Sequence, residues 1–200
     1  MSNLLVAGLG NPGREYDGTR HNAGFVILDT LARSLGLTWE RSRRFEADLA
    51  RWDISPGLPA GPRTVLLMKP LTFMNESGRS VQSLASFHRT PPADTVVVYD
   101  DLNIALGLVK VSVTGSAGGH NGVASLLAHL ADGFTRYRIG IGPKEPPEID
   151  MADFVLGRFT PAQQTLFNQQ LDHYITGLRL VIDHGAAQAM NLLNRRPSVP

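Results

Sequence analysis

The sequence predicts an α/β fold, a single domain with a twisted, mixed and mostly parallel central sheet that is flanked by helices. Short apolar runs rich in β-branched residues alternate along the chain with amphipathic stretches of helical period. No linker, internal repeat or low-complexity tract interrupts the 200 residues, of which 42% are hydrophobic. We therefore expect one domain over residues 1–200 that ends in helices at 161–194.

The elements follow from local pattern, and each one is bounded by turn residues. Gly36 follows the first helical stretch in the position that ends helices, and Pro70 ends a buried strand. The run TVVVY at 95–99 has the strongest strand pattern, and it stops at Asp100 and Asp101. The predicted order is a strand at 4–7, a helix at 23–35, a strand at 45–49, a Gly/Pro-rich turn at 55–62, a strand at 63–69, a helix from about 78 to 88, strands at 95–99 and 107–113, a helix from 122 to 130, a strand at 137–141, and helices at 161–182 and 186–193.

Composition excludes several classes of protein. The net charge is +1, so a nucleic-acid partner would have to be bound by a local basic patch. The chain has no cysteine, which excludes disulfides, thiolate zinc sites and a cysteine nucleophile. No apolar run reaches the length of a membrane span, and the N-terminus has no signal-peptide pattern. We expect a cytoplasmic protein with no membrane partner.

The stretch from Gly8 to Gly24, GLGNPGREYDGTRHNAG, crowds polar side chains between glycines. Its first six letters match the G-x-G-x-x-G turn of dinucleotide-binding proteins, in which a helix must begin within the motif. Pro12 and the polar residues after it delay any helix to about His21, so the match is weak. A plain connection between strand and helix, with a histidine that only caps or packs, is a second interpretation. The third is a site that carries out chemistry.

Polar residues after three separate strands favour that third interpretation. Asn11, Asn75 and Asp100 follow the strands that end near residues 10, 69 and 99, while His21 and Asn121 lie on adjacent loops. In α/β sheets, sites form beyond the carboxyl ends of the strands, so these five residues are expected to meet in one crevice.

Their chemistry suits hydrolysis by an activated water. A neutral histidine is the natural general base near neutral pH, and a carboxylate on its other ring nitrogen fixes the tautomer, which gives His21 and Asp100 these roles. The asparagines can hold a carbonyl and a water or donate to an oxyanion. The chain has no G-x-S-x-G or H-E-x-x-H motif, so neither an acyl-enzyme nor a metal is expected. In the competing interpretation, Asp100 and Asp101 are only solvated at a strand end. His120 is expected to be structural, and the other histidines (His88, His129, His173 and His184) to be surface or packing residues.

Five blocks carry a resemblance to a known family, the bacterial peptidyl-tRNA hydrolases. They cover nearly the whole chain in the family's order: GLGNPGREYDGTRHNAG at 8–24, KPLTFMNESG at 69–78, YDDLNIALG at 99–107, GSAGGHNG at 115–122 and RIGIGP at 138–143. The resemblance implies an esterase that cuts the bond between a peptide's C-terminal carboxyl and the terminal ribose of tRNA. It also implies a monomer with a mixed sheet, without metal or cofactor, whose partner is peptidyl-tRNA.

The resemblance also implies roles for individual residues. The family's catalytic histidine and aspartate fall on His21 and Asp100. Its remaining site residues fall on the substrate-positioning Asn11, Asn75 and Asn121, on Tyr16 and Met74 in the peptide groove, and on Lys110 and Arg138, the basic positions that meet tRNA phosphate.

The chain departs from the family pattern at several positions. In the acidic block, Tyr99, Asp101 and Asn103 stand where the family has histidine, glutamate and aspartate. Ser112 and Ala124 replace basic residues that are common in the family. Losing a phosphate contact weakens tRNA binding and its salt dependence without changing the chemistry.

Two functions of different class follow from these residues. One is the hydrolase, and the alternative is a non-catalytic protein that binds tRNA or a nucleotide. The pair His21 and Asp100 favours the hydrolase, because a binding protein has no use for a base and its orienting carboxylate. If Lys110 and Arg138 do not hold phosphate, Arg14 and Arg20 are the next candidates.

Overall fold

The computed structural model describes residues 3–54 and 63–195, and one mixed sheet forms the centre of that part of the chain. Its strand order is β2-β3-β4-β1-β5-β7-β6. The strands are β1 (Asn3–Gly8), β2 (Glu40–Ser42), β3 (Ala47–Ile54), β4 (Arg63–Pro70), β5 (Thr95–Ala105), β6 (Val109–Ser112) and β7 (Thr135–Gly142).

The four central strands are parallel, and antiparallel strands complete both edges. Strands β4, β1, β5 and β7 pair in parallel, whereas β2 and β3 on one side and β6 on the other pair antiparallel. Parallel neighbours need a long crossover, which the helices supply, while β2 and β3 are close enough in sequence for a tight turn. The predicted α/β class with a mixed central sheet is confirmed. The expectation that the sheet is mostly parallel is wrong, because three strand pairings are parallel and three are antiparallel.

Helices cover both faces of the sheet and create two cores. The helices of the described residues are α1 (Ala23–Ser34), α2 (Ser77–His88), α3 (Asn121–Leu130), α4 (Met151–Leu156), α5 (Pro161–Gln169), α6 (Leu171–His184) and α7 (Ala186–Leu193). Buried residues of α1, α5, α6 and α7 pack on one face, and those of α2 and α3 pack on the other. No helix within the described residues is long and apolar enough to cross a membrane.

Two predicted elements differ from the observed ones. Strand β5 does not stop at Tyr99, because Asp100 and Asp101 continue the ladder opposite residues 139 and 140 of β7. The single helix predicted at 161–182 is two helices that meet at Gln170. At this junction Phe167 stacks on Phe159 with ring centroids 5.1 Å apart and also contacts Tyr174, so aromatic packing accompanies the break.

Smaller differences concern boundaries and short elements. The strand predicted at 45–49 is β3, which runs from Ala47 to Ile54. The turn predicted at 55–62 lies outside the described residues. The three-residue β2 and the six-residue α4 have no counterpart in the prediction, because segments this short carry little periodic signal.

Candidate active site

The residues selected from the sequence come together around one cleft of about 890 Å³ beyond the carboxyl end of β1 and along the second half of β5. Lys110 is exposed on β6 next to this cleft, directly opposite Arg138 of β7. The other predicted residues line the cleft: Asn11, Tyr16, His21, Met74, Asn75, Asp100, Asn121 and Arg138.

The loop after β1 positions His21 through close backbone packing. Residues 20–22 form a 3₁₀ turn, and α1 begins only at Ala23, so no helix starts within the G-x-G-x-x-G letters. Gly24 lies so close to the end of β1 and to the middle of β5 that an added Cβ would be 2.4 Å from the carbonyl oxygen of Val98 and 2.5 Å from the nitrogen of Leu9. Only glycine allows this approach, which places the preceding turn over these two strands.

His21 and Asp100 form a buried pair. Nδ1 of His21 lies 2.9 Å from Oδ1 and 3.1 Å from Oδ2 of Asp100, and the two side chains are 8% and 1% exposed. A carboxylate accepts, so Nδ1 carries the proton and Nε2 holds a lone pair. Within the described residues no group hydrogen-bonds to Nε2. The ring therefore has the tautomer that a general base needs.

His120, which the sequence predicts to be structural, belongs to the same cluster; nothing in the sequence indicates its contact with Asp100. Its Nδ1 accepts from the backbone N–H groups of Gly122 and Val123 at 3.1 and 3.3 Å, so it caps the N-terminus of α3. Because that nitrogen accepts, the proton of the neutral ring sits on Nε2, which donates to Oδ1 of Asp100 at 3.2 Å. His120 is therefore a donor to Asp100 and not a second base.

The two histidines determine the charge state of Asp100. Complete burial by itself would raise the pKa of Asp100, but the neighbouring His21 and His120 outweigh burial and hold its pKa well below the usual range. Asp100 is thus ionised throughout the neutral range. It can stabilise the positive charge that His21 acquires when this histidine takes a proton.

His21, Asp100 and His120 also bring potential metal-ligating atoms within 4.8 Å of one another. The hydrogen bonds oppose such a use of the cluster. The ring nitrogen of His120 that faces Asp100 carries a proton as long as the other nitrogen caps α3, so it offers no lone pair to a metal. Catalysis without metal remains a prediction.

The asparagines differ in how firmly they are held. Oδ1 of the buried Asn11 accepts from the backbone N–H of Met74 at 2.7 Å, which joins the loop after β1 to the 3₁₀ turn at 74–76. Asn75 and Asn121 are exposed at the edge of the cleft. Asn11 is therefore a fixed element of the site, and the other two are free to adjust to a ligand.

Apolar side chains form the remaining walls. Tyr16 packs edge-on against Phe73, which is 57% exposed. On the other side, α4 contributes Met151 and Leu156, both with more than a third of their surface exposed. An exposed apolar wall suits the side chains of a peptide. Sequence reasoning missed the α4 side, because its apolar residues gave no signal that they face a cleft.

The basic residues next to the cleft are only partly free. Lys110 and Arg138 are paired across β6 and β7, so their side chains emerge on the same face. Arg138 also contacts Asp101 with Nη1 and Oδ2 at 3.3 Å, which neutralises part of its charge. The predicted alternative Arg20 is wrong as a phosphate ligand: it is 6% exposed, and its guanidinium donates to the carbonyl oxygen of Phe154.

Two further residues support the glycine-rich loop at 115–122. Arg136, which is fully buried, donates to the carbonyl oxygens of Ser116 at 2.7 Å and of Gly115. Tyr99 packs edge-on against His120 with ring centroids 4.9 Å apart, and burial raises the pKa of its hydroxyl. Both contacts hold His120 in the orientation that reaches Asp100.

Comparison with known proteins identifies one family. A family profile described as peptidyl-tRNA hydrolase matches residues 5–199. The chain is similar to a protein of that name from Gloeobacter violaceus, with 42% identity over 98% of this chain and 96% of the relative, and to one from Lactiplantibacillus plantarum, with 44% identity over 88% and 90%. Its fold is similar to a crystal structure of peptidyl-tRNA hydrolase from Acinetobacter baumannii, with a TM-score of 0.86 and 34% identity over 98% of this chain and 96% of that chain.

Proposed function

This chain belongs to the peptidyl-tRNA hydrolase family, and on that premise we propose that it hydrolyses the ester bond of peptidyl-tRNA with a water activated by His21. The observation that carries the mechanism is the hydrogen bond of 2.9 Å between Nδ1 of His21 and the buried carboxylate of Asp100. It leaves Nε2 of His21 free, at the cleft, with its lone pair available to a water.

The first chemical step is attack on the ester carbonyl carbon. Nε2 of His21 takes a proton from the water, whose oxygen forms a bond to that carbon, and the electron pair of the C=O bond moves to the carbonyl oxygen. Asp100 stabilises the imidazolium that results. The N–H groups of nearby side-chain amides, with Asn11 the best fixed, donate to the developing oxyanion.

The second step breaks the ester. The oxyanion's electron pair restores the C=O bond, the bond from carbon to ribose oxygen breaks, and the imidazolium of His21 returns its proton to that oxygen. The products are tRNA with a free ribose hydroxyl and a peptide with a free carboxyl group. The apolar walls formed by Tyr16, Met74 and α4 accommodate the peptide.

Replacement of His21 by Ala tests the mechanism. Loss of the base should lower kcat by about three orders of magnitude or more without unfolding the protein. Asp100→Asn should cause a smaller but large loss, because it permits the wrong tautomer at His21. The two losses should not add in the double variant, since both residues act through one imidazole. Near-normal cleavage by His21→Ala would contradict the mechanism and would revive the binding-protein alternative.

We propose that Lys110 and Arg138 hold a phosphate of the tRNA acceptor end. Their shared face on β6 and β7 and their place next to the cleft support this role. Lys110→Ala or Arg138→Ala should raise KM for a full tRNA substrate with little change in kcat, because a remote contact is equally present in the ground state and the transition state.

The salt dependence of KM separates this role from a structural one. Each neutralising variant should make the slope of log KM against log salt shallower, and Ser112→Lys should steepen it by about one unit. If Arg138 serves only its ion pair with Asp101, its variant will lose stability and keep its slope. Unchanged slopes in all three variants would move the phosphate site elsewhere, with Arg14 the next candidate.

A further inference from the structure

Asn22, the residue after the candidate base, has both of its side-chain amide groups bound to the backbone of another site residue. Its Oδ1 accepts from the backbone N–H of Asn11 at 2.8 Å, and its Nδ2 donates to the backbone C=O of Asn11 at 3.0 Å. Asn22 is 4% exposed and Asn11 is 6% exposed, so both bonds are buried. We propose that Asn22 is a positioning residue that sets the orientation of Asn11 toward the reacting carbonyl, a role that rests on the proposed function.

The hydrogen bonds fix the amide orientation of Asn11. Its backbone is held by Asn22, and its Oδ1 accepts from the backbone N–H of Met74, a group that can only donate. Oδ1 of Asn11 therefore faces Met74, and Nδ2 faces the other way. Asn11 lines the cleft, and within the described residues no acceptor is bonded to its Nδ2. Asn11 thus presents an N–H donor at the cleft on a backbone that two buried hydrogen bonds restrain.

The two hydrogen bonds from Asn22 to the backbone of Asn11, here called the clamp, take the place of a helix cap. It occupies the N-cap position of α1, where an asparagine oxygen normally accepts from the second or third amide of its helix. No side-chain cap bond is present here. The side chain instead binds Asn11, which lies eleven residues earlier in the sequence. Asn22 therefore makes a contact in the site instead of a stabilising helix cap. Such an exchange is expected where function and local stability compete.

The clamp matters because Asn11 acts mainly in the transition state. A donor preorganised toward a carbonyl oxygen gains strength as that oxygen becomes negative, so it raises kcat more than it lowers KM. A donor on a loosened loop must be reoriented in each cycle. Loss of Asn22 should therefore appear in kcat, and only when Asn11 is present.

A double-mutant cycle tests this coupling, with kcat and KM measured on an N-blocked aminoacyl ester of a short acceptor fragment. Asn11→Ala should lower kcat about a hundredfold, as for the loss of one oxyanion donor. Asn22→Ala should lower kcat about tenfold with a smaller change in KM. The double variant should match Asn11→Ala alone, because without its donor the loop orientation has no effect on rate.

The chain offers a matched control in Asn194. Its side-chain amide makes the same two bonds with the backbone of one residue, Val111 on the edge strand β6, at 2.8 Å each. Asn194→Ala loses the same number of hydrogen bonds and should leave kcat on the short substrate unchanged. If Asn22→Ala does not fold, as judged by circular dichroism, Asn22→Asp replaces it, since it keeps the size and one acceptor but cannot donate to Asn11.

The outcomes separate the two proposals. If the wild-type protein fails to cleave the short substrate, the proposed function is overturned. If the wild type cleaves it and Asn11→Ala is impaired, the role of Asn22 is overturned in either of two ways. In the first, kcat of the single Asn22 variant equals that of the wild type. In the second, Asn22→Ala lowers kcat by the same factor in the wild-type background and in the Asn11→Ala background. A loss confined to the background that retains Asn11 supports the positioning role.

Discussion

His120 makes two separable contributions to the fold, and replacing it by Asn or Ala distinguishes them. The His120 ring caps α3 through Nδ1 and donates to the buried Asp100 through Nε2. Alanine removes both interactions. Asparagine is among the best N-cap residues, so it should keep the cap, but its shorter side chain cannot reach Asp100 at the same time.

The magnitudes follow from those contacts. An N-cap contributes about 1 kcal/mol, and a hydrogen bond to a charged group contributes about 1.5–3 kcal/mol. The side chain of His120 is 9% exposed and that of Asp100 is 1% exposed, so water does not readily replace the lost donor. His120→Ala should therefore lower the free energy of unfolding by about 3 kcal/mol and His120→Asn by about 2 kcal/mol.

Urea denaturation at neutral pH measures both values. His129 on the same helix is the control. Its ring is exposed and, among residues 3–54 and 63–195, donates only to the carbonyl oxygen of Ser125, so His129→Ala should change stability by about 0.5 kcal/mol or less. Equal loss in His120→Asn and His120→Ala would show that the ring does not cap α3. Full stability of His120→Asn would show that its bond to Asp100 contributes nothing to folding.

Three further predictions follow from the described contacts. Folding lowers the pKa of Asp100 from 3.8, so its ionised form stabilises the fold fully above about pH 5, and this contribution is lost as pH falls through 3.8 toward the lower folded-state pKa. In urea titrations, the stability difference between wild type and Asp100→Asn should therefore be constant above about pH 5 and shrink progressively below it. Gly78→Ala would put a Cβ 2.1 Å from a backbone oxygen of α3, so calorimetry should show the free energy of unfolding lowered by about 3 kcal/mol. Ser83→Ala, at an exposed position on the same helix, is the control and should lower it by less than about 0.5 kcal/mol. Cleavage of the short substrate should persist in a chelator; loss of activity that a divalent ion restores would contradict catalysis by His21 and Asp100 alone.

Comparison of the prediction with the structure shows where local sequence is informative. Strands β1 and β4 and helices α1 and α7 were predicted within about two residues, because each has a clear period and a strong boundary such as Gly36 or Pro70. The convergence of Asn11, Asn75 and Asp100 was also predicted from sequence. The prediction used a general rule, since parallel strands place their carboxyl ends at one edge of the sheet. Asp100 nevertheless lies within β5, which continues to Ala105.

Other features depend on contacts between distant parts of the chain. Strand β5 continues past Tyr99 only because β7 pairs with Asp100 and Asp101, and the sequence contains no local sign of that partner. Arg20 is likewise buried beneath α4, where it contacts Phe154, a residue more than a hundred positions away in the sequence. The position of the α4 wall depends on the same long-range packing. Periodicity reports which side of an element is apolar, not which element covers it.

The sequence by itself determined the fold class, most of the elements and the candidate pair His21 and Asp100, because residue type and spacing encode local conformation and chemical capacity. Only the tertiary structure decided which nitrogen of each ring carries its proton and which amide of Asn11 is free. Those choices depend on hydrogen-bond partners that His120 and Asn22 supply from other loops. A hydrogen bond is directional and short, so it is decided by the final positions of both groups and not by the identity of either one.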